Sequence, residues 1–213
     1  MTSNQPVAFV REKMIERTMK MLEKNNMTAY YAPTVADAQD LVKQLVPKGA
    51  SVACGGSMSL EEAGIMDILR SGDYNFFDRQ GVTGDAVGEV LRKAFFADCY
   101  LTSCNAVTEQ GELFNVDGNA NRVAAMCFGP ESVICVVGYN KIVPDLQAAQ
   151  ERLETIAAPA NAVRLNRKTP CTATGHCENC HSPERICCTT VVHRQQRVAG
   201  RIKVILVGEE LGY

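Results

Sequence analysis

Apolar, strand-like runs alternate with amphipathic helical patterns along most of this chain, and this alternation restricts the fold more than any other feature. Strands joined through a helix pair in parallel, because the long connection returns the chain to the same edge of the sheet. The sequence therefore predicts an α/β fold with a mostly parallel sheet and helices on both faces. The strand-like runs are TAYYA (28–32), ASVAC (50–54), YNFFD (74–78), DCYLTS (98–103), SVICVVG (132–138) and IKVILVG (202–208).

Two segments interrupt the alternation. CNAVTEQGELFNVDG (104–118) has two short strand-like runs with a turn between them, which predicts a hairpin insertion. PCTATGHCENCHSPERICC (170–188) has no helical or strand pattern and predicts a cysteine-rich loop. With 213 residues, and roughly 150 residues for a typical domain, we expect a single domain over 1–213 that includes this loop.

Hydrophobic content and charge limit the kinds of molecule that this chain is expected to bind. Hydrophobic residues make up 46% of the chain, and no apolar stretch approaches the roughly 20 residues of a membrane span. The N-terminus lacks the apolar segment of a secretory signal, so we expect a cytoplasmic protein with reduced thiols. The 22 basic and 24 acidic residues are evenly spread, which argues against nucleic acid. A small-molecule anion or metabolite, or another protein, is the expected partner, and a homo-oligomer stays open.

Glycine follows three of the apolar runs, in CGGS (54–57), VVGYNK (136–141) and VGEE (207–210). Ligands of open α/β sheets bind beyond the carboxyl ends of the strands, where glycine allows close approach of backbone. These segments therefore predict one shared cleft. Gly55, Gly56 and Ser57 form its candidate anion site, with Ser59 and Glu62 as a capping box for the next helix. A plain strand–helix turn is the alternative.

Further candidates lie in the hairpin and after the strands. Glu109 beside the hairpin turn is a candidate base or nucleophile, although a solvated turn glutamate has the same pattern. Asn119 is a candidate helix cap, and Arg122 in the first turn opposes the helix dipole, which suggests that an anion or a carboxylate answers it. Asn140 and Lys141 are placed to meet a phosphate or carboxylate, with a surface lysine as the alternative.

The cysteine-rich loop holds five of the ten cysteines and two of the three histidines. Its two-residue separation between Cys177 and Cys180 lets one turn present two thiolates to one metal. Adjacent residues rarely face the same ion, so the predicted ligand set is Cys171, Cys177, Cys180 and Cys187, without Cys188. Thiolate ligation suits zinc or an iron-sulfur cluster, and metal-free loop cysteines are the alternative. The other cysteines are expected to be small buried hydrophobes: Cys54, Cys99, Cys104, Cys127 and Cys135.

Several segments together resemble the lactate utilization (LUD) domain family. They are CGGSMSLEEAGI (54–65), NAVTEQGELFNVDGNANRVAAMCFGP (105–130), VVGYNKIVPDL (136–146), TPCTATGHCENCHSPERIC (169–187) and RIKVILVGEELGY (201–213). The resemblance implies a fold similar to the phosphosugar isomerase and CoA transferase group. It also implies a ligand-binding turn at residues 55–57 and places Glu109 in the glutamate–glycine motif of the family. Many relatives have Glu-Thr-Gly-Thr where this chain has residues 109–112, Glu-Gln-Gly-Glu, so a catalytic threonine is not implied.

Members of that family that act in lactate oxidation work within an iron-sulfur protein complex. By this resemblance, we expect an accessory component of lactate or other 2-hydroxy acid utilization, linked to a metal or iron-sulfur cluster and partnered by other subunits. One alternative is an isomerase-type or acyl/CoA-transfer enzyme for a phosphorylated or CoA-linked ligand. A regulatory module that binds a metabolite without converting it is another, so enzymatic activity stays open.

Overall fold

The computed structural model describes residues 5–213, and its centre is a six-stranded sheet in which every neighbouring pair is parallel. The predicted mostly parallel sheet is confirmed. In chain order the strands are β1 (Thr28–Ala32), β2 (Ser51–Cys54), β3 (Asn75–Phe76), β4 (Cys99–Thr102), β7 (Ser132–Gly138) and β10 (Ile202–Val207). Across the sheet their order is β1-β10-β7-β4-β2-β3.

A second, four-stranded sheet accounts for the interruptions. It contains β5 (Ala106–Thr108), β6 (Leu113–Asp117), β8 (Ile142–Val143) and β9 (Thr189–His193), in the order β8-β5-β6-β9. Strands β5 and β6 form the predicted hairpin. The hairpin is part of a larger unit than the sequence indicated, because β9 pairs with β6 immediately after the cysteine-rich loop.

Nine helices lie within residues 5–213: α1 (Gln5–Lys24), α2 (Val35–Leu45), α3 (Met58–Glu62), α4 (Ile65–Leu69), α5 (Ala86–Lys93), α6 (Asn121–Phe128), α7 (Leu146–Arg152), α8 (Ala158–Arg164) and α9 (Cys171–Thr174). A single π-helical turn joins α7 to α8. In this described part of the chain, no helix has the length and apolar character needed to cross a membrane.

Strand β10 shows why both faces of the main sheet are covered. Val204 and Leu206 belong to a buried cluster that includes α1, whereas Ile205 and Val207 belong to a second cluster that includes α2, α3 and α4. Successive side chains of a strand point to opposite faces, so the uninterrupted apolar run at 204–207 needs helices on both sides. The continuous apolar run of the sequence has this structural cause.

Two predicted helix caps are wrong. The side chain that caps α3 is Ser57, whose Oγ accepts from the Leu60 amide, whereas Ser59 lies inside the helix and is buried. Helix α6 begins after Ala120, which has a left-handed backbone with φ 57°, so Asn119 is not its cap. Two positions separate the real cap from the predicted one in α3, a shift that periodicity alone does not resolve.

Candidate functional site

A cavity of about 410 Å³ opens at the carboxyl ends of three parallel strands of the main sheet. Residues 56–58 follow β2, residues 103–105 follow β4, and Lys141 follows β7. The turn at 116–122 and helix α8 form the facing walls, and Tyr213 closes one side. The cavity therefore lies where open α/β sheets bind their ligands.

The cavity wall is strongly basic although the whole chain has a net charge of -2. Only Asp117 and Glu184 are acidic among the lining residues. Each has a partner already, since Asp117 pairs with a lining arginine and Glu184 accepts from the Lys168 amide at 2.8 Å. A cavity with this balance attracts anions. Its six basic lining residues are Arg79, Arg122, Lys141, Arg164, Arg167 and Arg185.

Three of these cations are free to meet a ligand. Within residues 5–213, Arg79 and Arg167 form no ion pair and no side-chain hydrogen bond. Arg164 has no carboxylate partner there and contacts the neutral Asn161 Oδ1 and the Tyr213 hydroxyl. All three are exposed at the rim of the cavity. Long exposed cations without carboxylate partners can move onto a bound anion at little cost.

The glycine turn after β2 lies against this wall, and its role in ligand binding stays a prediction. A Cβ on Gly56 would collide with Arg79 Nη2, and one on Gly55 would lie 3.0 Å from Arg122 Cδ. Glycine here leaves room for two arginine side chains. Gly56 and Ser57 line the cavity, whereas Gly55 lies behind them.

Arg122 is held almost completely by the protein itself. Its Nε donates to Asp117 Oδ1 at 2.9 Å, Nη1 to Asn115 Oδ1 at 2.6 Å and the Ser103 carbonyl at 3.0 Å, and Nη2 to Asn105 Oδ1 at 3.0 Å. The sequence predicted an anion or a carboxylate as the partner of Arg122, and the structure shows that Asp117 forms this ion pair. Because its donors are used, Arg122 shapes the cavity wall more than it offers free hydrogen bonds to a ligand.

Lys141 is 3% exposed and lines the cavity floor. Its Nζ donates to Ser59 Oγ at 2.8 Å and lies 3.4 Å from Ser103 Oγ. Burial, followed by the charge of Arg152, lowers the pKa of Lys141 to about 8. The surface-lysine alternative is therefore wrong at this position.

Other predicted residues lie outside the cavity. Asn140 accepts from the Leu211 amide at 3.1 Å and donates to the Gly212 carbonyl at 3.0 Å, so it fastens the C-terminal segment. Residues 207–210 do not line the cavity, and Tyr213 of the same segment does. Glu109 pairs with Arg17 at 2.7 Å on helix α1. Its catalytic role stays a prediction, and the geometry brings it no contact with the cavity.

The cysteine-rich loop is closer to the cleft than its sequence position suggested. Its residues 183–186 form part of the cavity wall. The predicted ligands Cys171, Cys177, Cys180 and Cys187 all line one small pocket of about 10 Å³ behind that wall, and Cys188 does not. Across residues 5–213, however, no three Cys, His, Asp or Glu side chains are grouped closely enough to hold a metal ion.

The family model for the LUD domain matches residues 15–207. The chain belongs to the LUD domain family. No curated protein matches it. A solved structure described as a DUF162 family protein from Deinococcus radiodurans is similar to it, with a TM-score of 0.51, 16% sequence identity, and coverage of 92% of this chain and 98% of that one. At this identity the similarity shows the fold alone.

Several cleft residues of this LUD domain were missed in the sequence. Ser103 and Asn105 follow the strand-like run DCYLTS, and that strand-end position was the available signal. Arg79, Arg164 and Arg167 come from a loop, a helix end and a coil that only the folded chain brings together. Of the cysteines predicted to be buried, Cys127 is exposed, whereas Cys104 is buried as predicted and also borders the cavity.

Proposed function

We propose that this LUD domain binds a small metabolite with more than one negative charge in the cleft, as a phosphorylated or CoA-linked compound would have. The observation that supports the proposal is the set of six basic side chains around one cavity, against two acidic ones that already have partners. The volume of about 410 Å³ lies in the range of small-molecule sites.

Charge favours a polyanion over lactate itself. A monocarboxylate neutralises only one of the rim arginines Arg79, Arg164 and Arg167 and leaves the remaining cations without a partner. A phosphate or pyrophosphate group supplies several acceptor oxygens and suits the planar guanidinium donors of arginine. A ligand of this class also gives the glycine turn at residues 55–57 its predicted role.

Thermal unfolding of the full chain at fixed ionic strength tests this proposal, because a ligand of the folded state raises Tm. We expect pyrophosphate to raise Tm more than inorganic phosphate, and phosphate more than L-lactate. Arg79→Gln and Arg167→Gln should reduce the shift. The matched control is Arg197→Gln, an exposed arginine outside the cavity wall, which should keep it. If sodium chloride raises Tm as much as pyrophosphate does, the proposal is wrong.

A second function follows from the four cysteines around the small pocket. We propose that Cys171, Cys177, Cys180 and Cys187 hold a single thiophilic ion, with zinc as the best candidate, and that this makes the chain a metal-linked component of lactate utilization. Thiolates are the ligands that zinc and iron-sulfur centres prefer. The backbone amide of Asn179 donates to Cys177 Sγ at 3.4 Å, within the turn that separates Cys177 from Cys180.

The size of the pocket favours one ion over a multi-iron cluster. About 10 Å³ corresponds to roughly one water-sized body. The side chains have to rotate toward one another to reach ligand distances, since they are not grouped tightly enough without an ion. Zinc bound in this way would stabilise the wall at 183–186. Electron transfer from lactate would then belong to partner subunits.

Metal and acid-labile sulfide analysis of anaerobically purified protein tests the second proposal. We expect zinc close to one per chain and no sulfide. Cys177→Ser should lose the metal, and Cys188→Ser is the control that should keep it, because Cys188 lies outside the pocket. Folded protein without metal would contradict the proposal, and iron with sulfide would replace the single ion with a cluster.

A further inference from the structure

Lys141 is an unusual cation for an anion-binding cavity, because it is both buried and without an acidic partner. No carboxylate within residues 5–213 forms an ion pair with it. Its Nζ instead contacts two hydroxyl groups, Ser59 Oγ and Ser103 Oγ. Ser59 in turn donates to the Leu211 carbonyl at 3.2 Å, which fixes its hydroxyl beside the lysine.

The surroundings of Lys141 favour a neutral amine. Burial lowers its pKa to about 8, Arg152 and Arg122 lower it as well, and Cys104 and Glu62 oppose this change. At pH 8 the Lys141 amine is therefore neutral, with a free lone pair, in about half of the molecules. Burial beside other cations is a recognised way to make a lysine nucleophilic. Rim arginines, by contrast, stay charged and can hold an anion at the same time.

We propose that Lys141 Nζ forms an imine with a carbonyl compound that also carries a phosphate or carboxylate group. The proposal rests on the proposed anion cleft and names a reactive group within it. The anionic group of the ligand meets the rim arginines, and its carbonyl carbon reaches the lysine on the floor. A small molecule with both groups thus matches the cavity, because its carbonyl suits the lysine on the floor and its anionic group suits the arginines at the rim.

The step balances without any redox partner. The Nζ lone pair attacks the carbonyl carbon, and the carbonyl oxygen takes up a proton to give a carbinolamine. Loss of the remaining N–H proton and of the hydroxyl group as water then gives the imine. The Ser59 and Ser103 hydroxyls both contact Nζ and are placed to pass these protons. Hydrolysis reverses the sequence.

Borohydride trapping tests the proposal on the full chain. The probes are pyruvate, which has a carboxylate, and glyceraldehyde 3-phosphate, which has a phosphate. After reduction, peptide mass spectrometry locates the secondary amine. At pH 8 we expect roughly 10-fold more adduct at Lys141 than at exposed lysines such as Lys48 with at least one probe. The probe that reacts identifies the anionic group that the cleft prefers.

Two substitutions control the experiment. Lys141→Arg keeps a cation and should abolish the adduct. Lys203→Arg should leave the adduct in place, because Lys203 is half-buried with a lowered pKa and lies outside the cavity. Absence of a Lys141 adduct with both probes overturns the inference. If pyrophosphate still raises Tm in that case, the anion cleft stands and only the imine is wrong.

A measurement on the unsubstituted protein covers the case in which Lys141→Arg does not fold. Competitive acetylation across a pH series reports the reactivity of each lysine. We expect the Lys141 reaction to reach half of its plateau near pH 8 and to be blocked by pyrophosphate. A profile like that of exposed lysines, or labelling that pyrophosphate does not change, contradicts the proposal.

Discussion

Arg122 Nη2 lies 2.7 Å from Asp117 Oδ1, and this ion pair joins the end of β6 to the start of α6. The two side chains are 12% and 8% exposed, so solvent screens the pair little. The Asp117 carboxylate also accepts from the Val123 amide at 2.9 Å and thereby caps the helix. One buried carboxylate therefore fixes both the cavity wall and the helix start.

Separating this ion pair should be costly. We expect Arg122→Ala and Asp117→Ala each to lower the free energy of unfolding by about 3 kcal/mol, because each leaves a buried charge without its partner. The double variant should lose less than the sum of the two. Urea denaturation measures all three values. Single variants within about 0.5 kcal/mol of the unsubstituted protein would show that the pair is effectively solvated.

Gly56→Ala should weaken anion binding without unfolding the protein. The added Cβ meets only the far end of the flexible Arg79 side chain, which must move away from the cavity. Isothermal titration calorimetry measures the pyrophosphate affinity. We expect the affinity of Gly56→Ala to fall to that of Arg79→Gln. Gly111→Ala is the contrasting variant. Its φ is +75° and its Cβ would lie 2.5 Å from the Met21 backbone, so stability should fall.

Ser57→Ala and Ser59→Ala test the corrected roles of the two serines, since Ser57 caps α3 and the predicted cap Ser59 lies beside Lys141. Loss of the Ser57 cap should cost about 1 kcal/mol of unfolding free energy. Ser59→Ala removes the 2.8 Å acceptor of the buried Lys141 and should lower the Lys141 pKa further. The pH profile of Lys141 acetylation measures this change. A shift with Ser57→Ala and none with Ser59→Ala would contradict the assignment.

Hydrophobic pattern predicted the parts of the fold that repeat along the sequence. TAYYA became β1 with its predicted bounds at the edge of the sheet, where only Ala32 is buried. The run SVICVVG became β7 with its predicted bounds, because a central strand buried on both faces is apolar at nearly every position. The position of Lys141 was also predictable, since it follows such a strand. These features depend on local sequence and on one general rule of α/β sheets.

Tertiary contacts determined what the pattern could not reveal. Arg167 and Arg185 lie beside and within the cysteine-rich stretch of the sequence, and the fold places both in the wall of the anion cleft. Arginine is ordinarily an exposed residue, yet Arg152 is 8% exposed and donates to the Asn105 carbonyl at 2.8 Å. Long side chains cross between elements, so their partners are not visible in sequence.

Glu109→Gln tests the catalytic prediction directly. The change removes a charge from the pair with Arg17, whose side chain is 56% exposed against 25% for Glu109. Pairs at this exposure contribute roughly 0–1 kcal/mol, so the free energy of unfolding should change little. Pyrophosphate binding and the Lys141 adduct should be unchanged. Loss of either would place Glu109 in the machinery of the cleft after all.

The difference in unfolding free energy between the unsubstituted protein and Lys141→Met should increase with pH. An exposed ion pair would give the opposite trend. The folded pKa of about 8 lies below the ordinary value of 10.5, so between these values the unfolded lysine is protonated and the folded one is not. The unsubstituted protein should therefore gain stability relative to Lys141→Met as pH rises from about 7 to about 10, by up to roughly 3 kcal/mol. Urea denaturation at each pH measures the difference.

Lys48→Met provides the control of opposite sign. The hydrogen bond with Asp73 raises the pKa of Lys48, and the two groups lie 3.0 Å apart on the surface. A raised folded pKa contributes stability at low pH that disappears as pH increases through it. Relative to Lys48→Met, the unsubstituted protein should thus lose stability over the alkaline range. The same direction for both variants would mean that Lys141 is solvated and charged, which would remove the physical basis for its reactivity.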